Sequence, residues 1–170
     1  WSTNERVSNI LVTRLPASLT VLVPLLILET VIAIGLALAV AYVRGSLTDR
    51  AVMIVCTVGL SISILVYIIV FQYVFAYKLG WFPVQGWGDS FWENLVRYSS
   101  LPILIGLTVS IAPSLRLYRT FVLDEINQDY VRTARAKGLP ARRVIALHAF
   151  RNALIPVVTV IGLQVGVLFT

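Results

Sequence analysis

Long apolar blocks, each closed by a charge or a turn, organise this 170-residue chain. A helix of about 20 apolar residues is roughly 30 Å long, the thickness of a bilayer's hydrocarbon core. Blocks of that kind occupy about 16–43, 51–77, 101–119 and 152–170. The pattern predicts an all-α polytopic membrane protein with about four spans in a single transmembrane domain. Arg14-Leu15-Pro16 opens the first block, with proline where a helix tolerates it, and Arg44-Gly45-Ser46 stops it. Phe71, Tyr73, Phe75, Tyr77, Trp81 and Phe82 crowd the far end of the second, as aromatic side chains do at headgroup level. The third begins near Leu101-Pro102, and the fourth starts at Asn152 and is still apolar at Thr170. With Trp1 at the other end, the chain is expected to be an internal portion of a longer protein.

Two stretches break the apolar pattern. Within residues 78–98, the run Gly80–Asp89 (GWFPVQGWGD) has the glycine and proline of a structured loop. Residues 124–151 are polar and basic, and read as two short helices broken at Gly138. Asp124 is the expected cap of the first. Acidic Glu125 and Asp129 come early, while Arg132, Arg135 and Lys137 come late, matching the helix dipole. Gly138 falls where a left-handed residue ends a helix, and Pro140 falls near the first turn of the next.

Composition agrees with the pattern: 58% of residues are hydrophobic and 13% charged, against about half and a quarter in soluble domains. A net charge of +6 is a nucleic-acid signal only when the basic residues form a binding face. Here they flank apolar blocks, so nucleic acid is not an expected partner. Ten of the 14 Lys and Arg residues (Arg44, Arg50, Arg116, Arg119, Arg132, Arg135, Lys137, Arg142, Arg143, Arg151) fall in one set of loops. Arg6, Arg14, Lys78 and Arg97 fall in the other. The positive-inside rule therefore places loop 124–151 in the cytoplasm and loop 78–98 outside.

Candidate chemistry is sparse. One cysteine, Cys56, and one histidine, His148, permit neither a disulfide nor a zinc-ligand set. No catalytic constellation and no GxxxxGK[ST] phosphate loop is present. Glu29 lies inside the first block, where a charge costs about 2.5–3.5 kcal/mol on insertion scales. It is either a contact in a translocation pathway or a hydrogen-bonding partner of a neighbouring helix. Pro24, Pro113 and Pro156 are expected to kink their spans. Gly162 and Gly166 form a GxxxG that could bring helices together. For loop 124–151, a basic helix pair lying on anionic lipid competes with a docking element. The small residues Thr133, Ala134, Ala136 and Gly138 suit a low ridge in a partner's groove.

Residues Asp129–Leu139 (DYVRTARAKGL), followed by His148–Thr159 (HAFRNALIPVVT), carry a resemblance to a known family. They resemble the signature of peptide-type ABC importer permeases, the DppB/OppB-like inner-membrane subunits of bacterial dipeptide and oligopeptide importers. Arg14–Leu19 and Arg44–Ser46 extend the resemblance over most of the chain. It implies the type I ABC importer fold, with a further span before the first and another after the fourth.

It also implies that residues 124–151 form a coupling loop docking on a cytoplasmic ATPase subunit. Asp129, Tyr130, Arg132, Thr133, Ala134, Arg135, Ala136, Lys137, Gly138, Leu139 and Pro140 would make the dock. Thr133 and Ala134 take the motif's two alanine positions, Gly138 its glycine, and Arg132 stands where the general motif has an acid. The implied partners are a second homologous permease, two ATPase subunits, an extracytoplasmic substrate-binding protein and the lipid bilayer. ATP and magnesium would be bound by the ATPase subunits, with no catalytic residue, metal or cofactor in this chain. Importers of nickel, glutathione and other small solutes share the family, so the substrate stays open. An ion-coupled carrier would have to rely on Glu29 alone, and an intramembrane enzyme has no residues to work with.

Overall fold

The structure is a computed structural model that describes residues 7–88, 90–136, 138, 140, 143–144 and 149–167, with side chains from Leu15 onward except those of Arg135 and Val167. The described residues are helical throughout, with turns between and no strand. Helix α1 covers Val7–Tyr42, α2 Leu47–Ser61, α3 Ile64–Phe71, α4 Phe91–Glu93, α5 Ser100–Ile126, α6 Asp129–Ala136 and α7 Phe150–Val167. Wider π-helical turns continue α3 over Gln72–Lys78 and α4 over Asn94–Tyr98.

Among the described residues two single helices are long and apolar enough to cross a membrane, Leu15–Tyr42 (28 residues) and Ser100–Ile126 (27 residues). Both run unbroken through proline, at Pro16 and Pro24 in α1 and at Pro113 in α5. In α1 the Pro16 carbonyl accepts the Thr20 hydroxyl at 2.8 Å, which supplies a side-chain partner to a carbonyl inside the helix. In α7, Pro156 also lies inside the helix.

The apolar block 51–77 differs from its predicted form. It is not one helix: α2 stops at Ser61, Ile62 is extended (φ −88°, ψ 130°), and α3 restarts at Ile64. The cause is local. Thr57 donates its hydroxyl to the Met53 carbonyl (2.8 Å) and Ser61 to that of Thr57 (3.0 Å). Such back-bonding competes with the helical ladder, and Gly59 lowers helix propensity in the same turn. A hydropathy pattern averages these few polar residues into the apolar run around them. α5 also continues past the predicted end at 119, to Ile126.

The chain forms two compact units. One combines the chain up to Leu28 with Ile64–Thr108. Its core is Ala76, Leu101 and Ile105, walled by Tyr67, Ile68, Phe71, Phe75 and Phe82. Phe75 stands 5.4 Å from Phe71 and 5.9 Å from Trp81, ring centre to ring centre, within the range of favourable aromatic pairs. Asn94, 5% exposed, closes the loop that precedes it. Its Oδ1 accepts from the Gly88 N–H (2.6 Å) and its Nδ2 donates to the Gly88 carbonyl (2.8 Å). Gly86, at φ +139°, has Tyr98 only 2.5 Å from where a Cβ would stand, so glycine is required. Asn94→Ala removes both bonds and strands two backbone groups. It is expected to cost about 1–3 kcal/mol, read as a lowered melting temperature of the purified protein.

The other unit combines Glu29–Ser63 with the chain from Val109. Ala33 and Ala37 of α1, Cys56 of α2, Leu115 and Tyr118 of α5 and Val157 of α7 form its centre. Ala33 and Ala37 are fully buried, and small residues there let the backbones approach closely. A second cluster, Ala41, Val122, Ile126, Ala149 and Ala153, joins the ends of α1 and α5 to the start of α7.

Candidate functional site

The turn between α5 and α6 is made by Asn127 and Gln128, and the Gln128 carbonyl accepts from the N–H groups of Val131 (3.1 Å) and Arg132 (3.3 Å). Asp129 sits in the first turn of α6, at the positive end of its dipole. Its carbonyl accepts the Thr133 hydroxyl at 3.0 Å. The Asp129–Arg132 ion pair (3.3 Å) is exposed on both sides and adds little stability. The Tyr130 hydroxyl donates to Glu125 Oε2 (2.6 Å), tying α6 back to the last turn of α5. Partial burial, and then that bond to a carboxylate, push the Tyr130 phenol above its ordinary pKa.

Asp124 is not a cap. It lies with Glu125 in the last turn of α5, so the loop begins at Asn127 and its first helix at Asp129. Two acids at a helix C-terminus oppose its dipole. What α5 gains instead is the burial of Val122 and Ile126 against Ala41, Ala149 and Ala153.

The small residues of α6 divide between two faces. Thr133, Ala136 and Gly138 are exposed, together with Asp129, Tyr130, Arg132 and Pro140. Asp129, Arg132, Thr133 and Ala136 recur at the spacing of one helical face. Ala134 is 7% exposed and packs inward with Val131 and Val144, both at 0%. The expected ridge therefore loses Ala134, whose methyl fills the space between two valines. Gly138 has φ +80°, the left-handed conformation that favours glycine after a helix. Beyond it the Pro140 carbonyl accepts from Arg143 (2.9 Å) and Val144 (3.1 Å), beginning a new turn. Lys137, Leu139 and the Arg135 side chain lie outside the described residues.

Glu29 is 7% exposed, and its Oε1 accepts the hydroxyl of Ser114 on α5 at 2.5 Å. The two readings of Glu29 thus separate on geometry, which favours a helix-to-helix bond. Glu29→Gln retains an acceptor for Ser114 and is expected to keep the protein's thermal stability. Glu29→Ala leaves Ser114 unpartnered and is expected to cost about 1–3 kcal/mol; equal melting temperatures for the two variants would contradict this. A Cβ added at Gly162 or Gly166 meets nothing within 4 Å, so the GxxxG makes no close contact among the described residues.

A second polar cluster has no counterpart in the sequence-based picture. Gly45, at φ +79°, ends α1. Ser46 caps α2, its Oγ accepting from the Asp49 N–H (3.2 Å), while Asp49 Oδ2 accepts from the Gly45 N–H (2.9 Å). The Ser-x-x-Asp spacing is that of a capping box, and it was available in the sequence. Arg119 of α5 donates Nη2 to the same Oδ2 at 2.8 Å, forming an ion pair whose side chains are 19% and 7% exposed. Arg44 Nη1 donates to Asn127 Oδ1 at 3.2 Å. The α1–α2 turn is thereby fastened at two points to α5 and to the turn leading into α6. Charge counting had used Arg44 and Arg119 only as markers of sidedness.

Apolar helices of span length, packed through small residues and carrying polar groups paired across helices, define an all-α membrane protein. The chain belongs to the family of binding-protein-dependent transport system inner membrane components, whose model matches residues 32–170. It is 35% identical over 98% of its length to the di/tripeptide transport system permease protein DppB of Pseudomonas aeruginosa, covering 56% of that protein. It is 34% identical over 94% of its length to the oligopeptide transport system permease protein AppB of Bacillus subtilis, covering 52% of it. The dipeptide transport system permease protein DppB of Escherichia coli K12 is 33% identical over 92% of the chain, with 54% of that protein covered. The chain thus spans about half the length of the curated relatives it matches.

Proposed function

We propose that this chain is part of a permease subunit of an ATP-binding-cassette importer for di- and oligopeptides, and that α6 is its docking element for a cytoplasmic ATPase subunit. The observation that carries the docking is the division of α6 into two faces. Val131 and Ala134 anchor it inward, while Asp129, Arg132, Thr133 and Ala136 form an exposed face low in relief beyond its charged side chains. A helix resting on lipid would turn bulky apolar residues outward; here the valines are the buried ones. The peptide substrate is supported by the three relatives above, each named as a peptide permease.

In this reading the chain has no chemical step of its own. Two ATPase subunits hold ATP and magnesium, close on each other, and displace one coupling element each. The displacement shifts the permease helices between outward-open and inward-open packings. A homologous second permease completes the pathway, and an extracytoplasmic binding protein delivers the peptide. The loop around Trp81–Trp92 lies on the outer side and α6 on the cytoplasmic side. Mild-detergent purification of the full-length chain from its native membrane tests the assembly. ATPase subunits with phosphate-loop motifs are expected in the same complex, in amounts comparable to the chain. Their consistent absence would remove the proposal.

A further inference from the structure

We infer that Asp49 and Arg119 are positioning residues that carry displacement of α6 into α1 and α2, through a contact with two settings. The inference rests on the docking reading above. One route for movement of α6 runs through Asn127 and Gln128 into α5, because α6 follows α5 with only that turn between them. There the chain is fastened to the α1–α2 turn at the two points described, Arg44 to Asn127 and Asp49 to Arg119. The first is exposed and worth little. The second is nearly buried, so separating its partners leaves a charge in poor contact with water and is costly.

The contact is also incomplete as it stands. A guanidinium and a carboxylate can meet by two parallel bonds, yet only Nη2 to Oδ2 is made. Arg119 Nε and Asp49 Oδ1 are both buried and have no hydrogen-bond partner among the described residues. The spare donor and the spare acceptor belong to the same two side chains. A small rotation of the guanidinium, or a small shift of α5 along the α1–α2 turn, can turn the one-armed contact into a two-armed one. Asp49 Oδ2 is meanwhile held by Gly45 as well as by Arg119, and Ser46 fixes the Asp49 backbone. The carboxylate is therefore the fixed member and the arginine the moving one. Arg50, the other cation acting on Asp49, is exposed beside it on α2 and belongs to the same turn.

Lysine separates a two-setting contact from a simple staple, because it keeps the charge and the single bond but cannot form the fork. The full complex carrying Arg119→Lys, and separately Asp49→Asn, is reconstituted in proteoliposomes. Peptide uptake and ATP hydrolysis are then measured at equal amounts of assembled complex. Both variants are expected to assemble with their ATPase subunits and to hydrolyse ATP. Peptide moved per ATP should fall by about two- to thirtyfold, the range in which contacts along a coupling route act. An Arg119→Lys complex with the wild-type ratio would overturn the two-setting contact, even if Asp49→Asn were impaired. Losses that track reduced assembly alone, with the ratio unchanged, would overturn it too. A wild-type chain that brings no ATPase subunits removes the functional reading and this inference with it.

Discussion

Ala136→Trp is expected to reduce peptide uptake by at least about thirtyfold, the effect of losing a contact worth 2 kcal/mol or more at the centre of an interface. Ala136 lies on the exposed face of α6 with Thr133, two residues before Gly138. It makes no part of the Val131–Ala134–Val144 cluster. An indole at this position leaves the chain's own packing intact and obstructs whatever lies against the helix. The variant should therefore insert, fold and melt like the parent while failing to retain its ATPase subunits or to couple their hydrolysis to uptake. Normal uptake by this variant would mean that the exposed face of α6 meets no partner closely.

Val131→Asp is the complementary change and acts through the opposite face. Val131 is completely buried against Ala134 and Val144. An unpaired buried carboxylate costs about 3–5 kcal/mol, more than an eight-residue helix can supply from its own hydrogen bonds. The expected result is that α6 detaches while the long helices remain. Limited proteolysis should cut between Asn127 and Pro140 in the variant and not in the parent, under conditions that leave α1 and α5 whole. Resistance equal to the parent's would show that the cluster is not what holds α6. With Ala136→Trp, this variant separates two ways of losing the dock: a blocked face and a loosened helix.

What could be read from the chain beforehand depended on how local the cause was. Gly138 was legible because helix-ending glycines follow from neighbouring residues alone, and its φ of +80° is the conformation expected there. The span-length helices α1 and α5 were legible from apolar run length. The break between Ser61 and Ile64 was not, since Leu60, Ile62 and Ile64 keep the run apolar on average; only the spacing of Thr57, Gly59, Ser61 and Ser63 hinted at it. The Asp124 cap failed because a rule for helix starts was applied to residues that α5 reaches by burying Val122 and Ile126. Ala134 was placed on the wrong face because residue size, without a partner such as Val144 in view, does not say which way a methyl points. Asp49 and Arg119 lie 70 positions apart. Their pairing is a product of tertiary packing, although the cap that orients Asp49 is written locally in Ser46–Asp49. Glu29 was recognised as unusual, but its partner Ser114, 85 positions away, was not.

Photocrosslinking from Thr133 tests the account most directly. A benzophenone amino acid in place of Thr133, on the exposed face of α6, is activated in native membranes, and the adducts are identified by mass spectrometry. A dominant adduct with a subunit that carries a nucleotide-binding phosphate loop is expected. Adducts with lipid alone, from a chain that is inserted and intact, would contradict it and return α6 to the membrane surface.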